Sequence, residues 1–108
     1  KKGGGQWSRS KSFDTFCPLG PSLVPLSGAG DALASRGLQV RSWVNGEAMQ
    51  DGNTLDMEFQ VNAILSYLSQ GTTLLPGTVI LTGTPPGVGY VRKPPQYLKP
   101  GDKVEVEL

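Results

Sequence analysis

The dipeptide Asn45-Gly46 limits the fold more than any other feature of this chain, because of what flanks it. Leu38, Val40, Ser42 and Val44 alternate with Gln39, Arg41 and Trp43 on one side, and Glu47-Ala48-Met49-Gln50 follows on the other. A period of two puts alternate side chains on opposite faces of an extended strand. A two-residue type I′ connection needs φ > 0 at both central positions, and Asn-Gly supplies that at little steric cost. The pattern therefore predicts an antiparallel hairpin over residues 38–50. Val61, Ile64, Leu65 and Leu68 carry the other period, i, i+3, i+4 and i+7, which predicts a helix over residues 60–70. Its apolar stripe is expected to pack on the sheet, with Gly71 placed to stop it. Pro100-Gly101-Asp102 turns the chain into Lys103–Leu108, a period-2 strand with Val104, Val106 and Leu108 expected inward. Two further short strands are expected, over Ser12–Phe16 before the break at Pro18 and over Val79–Leu81 after the turn pair Pro76-Gly77. With 15 Gly and 9 Pro in 108 residues, many turns and little helix follow. The class is α+β, mainly β, with one amphipathic helix, in at most one small domain.

Composition removes several functions. A formal net charge of +1 lacks the basic excess of a nucleic-acid binder, and no aromatic runs suit base stacking. No apolar run reaches membrane-spanning length, so no membrane partner is expected. The lone Cys17 cannot form an intrachain disulfide, which suits a reducing, intracellular compartment. Histidine is absent altogether, which removes a Ser-His-Asp or Cys-His nucleophile system and a His-based zinc site. Chemistry is left to Lys, carboxylates, hydroxyls and backbone amides. Residues 1–10 open with Gly3-Gly4-Gly5 and read as a mobile segment with Trp7 as an anchor, and residues 22–37 read as a loop with a helical turn near Asp31–Ser35. Glu105 and Glu107 share a face of the final strand, where solvation explains them better than a metal does.

The remaining stretch is Thr82-Gly83-Thr84-Pro85-Pro86-Gly87-Val88-Gly89. Three glycines let the backbone adopt φ > 0 and approach a ligand closely, and successive amides can converge on one anion. Pro85 and Pro86 have no N–H, so an anion site must use the amides of Gly83, Thr84, Gly87, Val88 or Gly89 with the hydroxyls of Thr82 and Thr84. The residues alone leave a tight turn as the commoner outcome. Neither a P-loop nor a dinucleotide fingerprint is present.

Ile80–Gly89 resembles the signature near the C-terminal end of the fumarylacetoacetate hydrolase family. A second block, Lys11-Ser12-Phe13-Asp14-Thr15-Phe16-Cys17-Pro18-Leu19-Gly20-Pro21, is similar to the same family and precedes the first by about 70 residues. Val44-Asn45-Gly46-Glu47 with Gln50 and Asn53-Thr54 also recurs there, in a hairpin that supports the sheet. Residues 22–37 depart from the pattern, with a longer connection than is usual.

The resemblance implies a fragment of the fumarylacetoacetase-like mixed β-sandwich or roll: residues 1–108 as the C-terminal half of a catalytic domain, with a metal-binding half before residue 1 and a short final strand after Leu108. It implies catalysis by Lys11, substrate binding by Thr84, Gly83 and Thr82, and Mg²⁺ (or Ca²⁺ or Mn²⁺) held by a Glu-x-Glu pair and an Asp upstream, with no metal ligand in this sequence. The substrate would be a small 2-oxo acid reacting through an enolate. The outcome would be oxaloacetate tautomerisation, to which the Phe13–Pro21 block points, or hydrolysis of acylpyruvate or fumarylacetoacetate type. A homodimer and a mitochondrial or cytoplasmic location would follow, and the fragment alone would be inactive. The rival reading is a small, non-catalytic, β-rich binding or assembly module, which would fold by itself.

Overall fold

The computed structural model of the chain describes residues 7–25 and 36–108. Of the segment over residues 1–10 expected to be mobile, residues 1–6 lie outside the described residues, as does the helical turn near Asp31–Ser35, while residues 7–10 are helical instead. The elements are helix α1 (Trp7–Lys11), strands β1 (Gln39–Val44) and β2 (Glu47–Asn53), helix α2 (Val61–Leu68) and strand β3 (Val104–Glu107), with short 3₁₀ turns at Thr54–Asp56 and Gly89–Val91. The strands form one antiparallel sheet in the order β2-β1-β3.

The predicted hairpin is present. Asn45 has φ 53° and Gly46 φ 81°, the positive pair that a type I′ turn requires. Asn45 also fastens the turn to β3. Its amide donates to the Lys103 carbonyl (2.8 Å), its side-chain oxygen accepts from the Lys103 amide (2.9 Å), and its side-chain nitrogen donates to Asp102 (3.0 Å). Asp102 accepts a further bond from the Lys99 amide. Hydrogen bonds to the charged form favour it, so Asn45 first and Lys99 second hold the Asp102 carboxyl below the usual carboxylate range. A folded pKa below the unfolded one stabilises above that range and is lost as pH falls through the folded value. The Asn45 side-chain amide resonances should therefore titrate with a midpoint below the usual carboxylate range, and should stop titrating in Asp102→Asn. A midpoint at or above that range would contradict the clasp.

Pairing is regular from Gln39↔Asn53 to Ser42↔Gln50, then jumps to Trp43↔Ala48, so Met49 is an extra residue in a β-bulge. Val40, Ser42, Val44, Gln50, Gly52, Val104 and Val106 consequently share one face, and Gln39, Arg41, Trp43, Asp51, Glu105 and Glu107 share the other. On the second face Arg41 lies 3.1 Å from Asp51 and 4.0 Å from Glu107, and Lys103 lies 2.9 Å from Glu105.

Five expectations need correction. The strand over Ser12–Phe16 is not formed: Lys11 ends α1, and a turn follows in which the Phe16 amide bonds the Phe13 carbonyl (3.2 Å) and Thr15 has φ 68°. A left-handed residue cannot continue a strand, and the two phenyl rings meet at 5.4 Å instead of lying on a pleat. Val79–Leu81 is not a strand either, since no described strand offers it a ladder. Helix α2 forms with Gln60 and Ser69 as its caps, but makes no extensive contact with the sheet. It also ends without a left-handed Gly71; the Ser69 amide bonds Leu65 O and the Thr72 amide bonds Leu68 O. Finally, Val104, Val106 and Leu108 are exposed by 49%, 76% and 83%, not turned inward. No apolar side chain among the described residues is buried, and Leu23, Phe59, Tyr67, Leu81 and Val106 are among the large ones left open to solvent.

Candidate functional site

The loop over residues 82–89 lies across the first face of the hairpin, with Gly87 against the bulged residue Met49. Gly87 has φ 113°, and a Cβ there would stand 2.1 Å from the Met49 carbonyl oxygen, closer than any real contact. Glycine is therefore required twice over, by conformation and by space. Gly52 on β2 is needed for the same packing, since its Cβ would meet the Pro85 ring at 2.8 Å. Arg92, half-buried, fixes the loop's exit: Nε donates to the Gly87 carbonyl (3.1 Å), one terminal nitrogen donates to the Met49 carbonyl (2.9 Å), and the other is 3.9 Å from Glu47. The guanidinium fork bridges loop and bulge with one planar group.

Gln50, on β2, fixes the loop's entrance. Its side-chain Nε2 donates to Thr84 Oγ1 and to the Pro85 carbonyl, both at 2.7 Å, while its Oε1 accepts from Ser42 Oγ at 3.0 Å. Thr82, Gly83 and Thr84 are exposed, and Gly83 takes φ 110°. Among the described residues, the amides of Gly83, Thr84, Gly87 and Val88 donate to no other group of the chain. The Thr84 hydroxyl and the amides of Gly83 and Thr84, on the exposed part of an anchored loop, can receive a negatively charged oxygen. Beside it, a groove of about 530 Å³ runs over the same sheet face, with Met49, Gln50, Gly87, Tyr97 and Val106 among its walls.

Lys11 sits elsewhere in the element order, at the exposed C-terminal end of α1, with its Nζ 5.5 Å from the Trp7 ring centroid. Among the described residues, no hydrogen bond or ion pair ties it to residues 82–89. No group of three or more His, Cys, Asp or Glu capable of holding a metal occurs among the described residues. The described side chains therefore do not by themselves fit a metal centre. No helix among the described residues is long and apolar enough to cross a membrane.

Gln50, Arg92 and the Met49 bulge were not legible as site residues. Gln50 reads as one more polar residue of a hairpin, and its recurrence beside Asn53-Thr54 suggests only support of the sheet. A bulge leaves no mark in a pattern that stays polar on both sides of it.

Comparison with known proteins agrees with this geometry. The family model described as fumarylacetoacetate (FAA) hydrolase C-terminal matches residues 1–108. The chain is 49% identical, over 108 residues, to the human protein named oxaloacetate tautomerase FAHD2A, mitochondrial, covering 100% of this chain and 33% of the relative. It is also 49% identical over 109 residues to 2,4-didehydro-3-deoxy-L-rhamnonate hydrolase of Sphingomonas sp. (strain SKA58), covering 100% of this chain and 37% of that protein. Among solved structures, the fumarylacetoacetate hydrolase EaFAH of psychrophilic Exiguobacterium antarcticum superimposes with a TM-score of 0.81 at 46% identity, over 92% of this chain and 34% of that one. The chain thus spans about a third of the length of the relatives it matches. The match along all of its residues, together with a hairpin-anchored Thr-Gly-Thr-Pro-Pro-Gly loop, places the chain in the fumarylacetoacetate hydrolase family.

Proposed function

We propose that this chain is the C-terminal part of an oxaloacetate tautomerase, an enzyme that moves a proton on a small 2-oxo acid through an enolate. The supporting observation is the identity of about half its residues, along its whole length, with relatives named for that activity. In this reading the Thr84 hydroxyl and the amide of Gly83 hold an oxygen of the substrate, with Thr82 at the loop's entry, and Lys11 supplies a cation to the developing enolate and a proton to its carbon or oxygen. Preorganised donors aimed at developing charge lower the barrier because they need no reorganisation as the charge forms. A lysine serves as a compact charge with three donors, and so can act both electrostatically and as an acid.

A divalent cation, with Mg²⁺ the first choice, belongs to the proposal as a group held by residues outside this chain. The proposal also includes a homodimer for the complete protein, a mitochondrial or cytoplasmic location, with mitochondria favoured by the names of the relatives, and no activity for these 108 residues alone.

Hydrolysis of a carbon–carbon bond in acylpyruvates is the second reading, favoured by the hydrolases among the relatives. Both reactions need the same enolate stabilisation, so the loop does not discriminate between them. Assaying the full-length protein on enol-oxaloacetate and on acylpyruvates separates the two: rapid loss of enol absorbance with negligible acylpyruvate cleavage is expected, and the reverse preference would replace tautomerase with hydrolase.

A further inference from the structure

We propose that Gln50 is a positioning residue that turns the Thr84 hydroxyl into a hydrogen-bond donor aimed away from the hairpin, which selects for an acceptor oxygen on the bound molecule. The proposal rests on Thr84 contacting substrate. The Pro85 carbonyl can only accept, and it lies 2.7 Å from one atom of the Gln50 amide, so that atom must be the nitrogen. The Ser42 hydroxyl agrees, donating to Oε1 at 3.0 Å. With the amide fixed this way, its second N–H points to Thr84 Oγ1, also at 2.7 Å. Thr84 is then an acceptor towards Gln50, and its own hydrogen must point elsewhere. Thr84 is exposed on the loop, so the direction left for that O–H is the one from which a ligand would arrive. A carboxylate or enolate oxygen, which only accepts, meets the donor it needs; an amide N–H at the same place would not.

A double-mutant cycle in the full-length enzyme tests this. Gln50→Met is expected to lower kcat/KM about tenfold in the wild-type background and less than about twofold in Thr84→Val, because a residue acting through a hydroxyl cannot act once it is gone. An equal loss in both backgrounds would show that Gln50 merely props the Pro85 carbonyl, and would overturn the proposal while leaving Thr84 in the site. No loss in Gln50→Met alone would overturn it in the same way. Wild-type turnover in Thr84→Val would remove the substrate contact itself, and the proposal with it. Should Gln50→Met lower the melting temperature too far to assay, Gln50→Glu replaces it in the cycle: its carboxylate accepts the Thr84 hydrogen and loses the Pro85 bond in both backgrounds alike, so a further loss confined to the Thr84 background is what is required.

Discussion

Replacing Lys11 by methionine in the full-length protein is expected to cut kcat/KM at least about 10²-fold, the usual cost of losing one preorganised donor to a developing oxyanion, roughly 3 kcal/mol. The surroundings of Lys11 make this a clean experiment. The side chain is exposed, and its described contact is the face of Trp7, where Nζ lies 5.5 Å from the ring centroid. An exposed cation–π contact contributes about 0.5–1 kcal/mol. Methionine keeps an apolar stem over the same ring, so the melting temperature should move little while turnover falls, and loss of fold could not account for the loss of rate. A loss confined to kcat would mean that Lys11 acts in the transition state; an equal rise in KM with kcat unchanged would mean that it only binds. Wild-type turnover, with the variant's metal content unchanged, would remove Lys11 from the mechanism.

The features that the sequence announced are those fixed by local rules. Asn45-Gly46 needed nothing beyond two residues to become a type I′ turn, and the stripe Val61-Ile64-Leu65-Leu68 needed one helix to make sense. What escaped depends on partners distant in the chain. Val79–Leu81 has a strand's composition but no neighbouring ladder among the described residues. Ser12–Phe16 has β-favouring residues, yet Thr15 turns left-handed, and the Trp7–Lys11 spacing of four, which was available to read, belongs to a helix. The site divides in the same way. Thr82, Gly83 and Thr84 stood out by composition, whereas Gln50 acquired a role only when the loop crossed the hairpin, 34 residues later in sequence. Positive φ at Gly83 and Gly87 is permitted by residue type. The contact of Gly87 with the Met49 carbonyl does not follow from it, because it depends on a bulge that no alternation reveals.

Heating the isolated 108-residue chain should give no cooperative unfolding transition. A domain of this size normally gains its stability by burying large apolar side chains, each contributing about 1.5–3 kcal/mol, against a chain entropy cost of about 1–2 kcal/mol per ordered residue. Among the described residues no apolar side chain is buried; Val106 at 76% and Leu81 at 72% exposed retain most of their contact with water. The hydrogen bonds of a three-stranded sheet do not replace that driving force, since each contributes only about 0.5–1.5 kcal/mol net after the loss of water. Strand β2 adds an edge without a described partner on its outer side, which invites association between copies. A broad, concentration-dependent loss of signal with strong binding of a hydrophobic dye is therefore expected, and the full-length protein should instead melt in a sharp step. The autonomous-module reading requires the opposite, a sharp, reversible melt of the 108 residues independent of concentration. That result would mean that these apolar side chains find partners within the chain, and would restore a binding or assembly module as the better account of the fold.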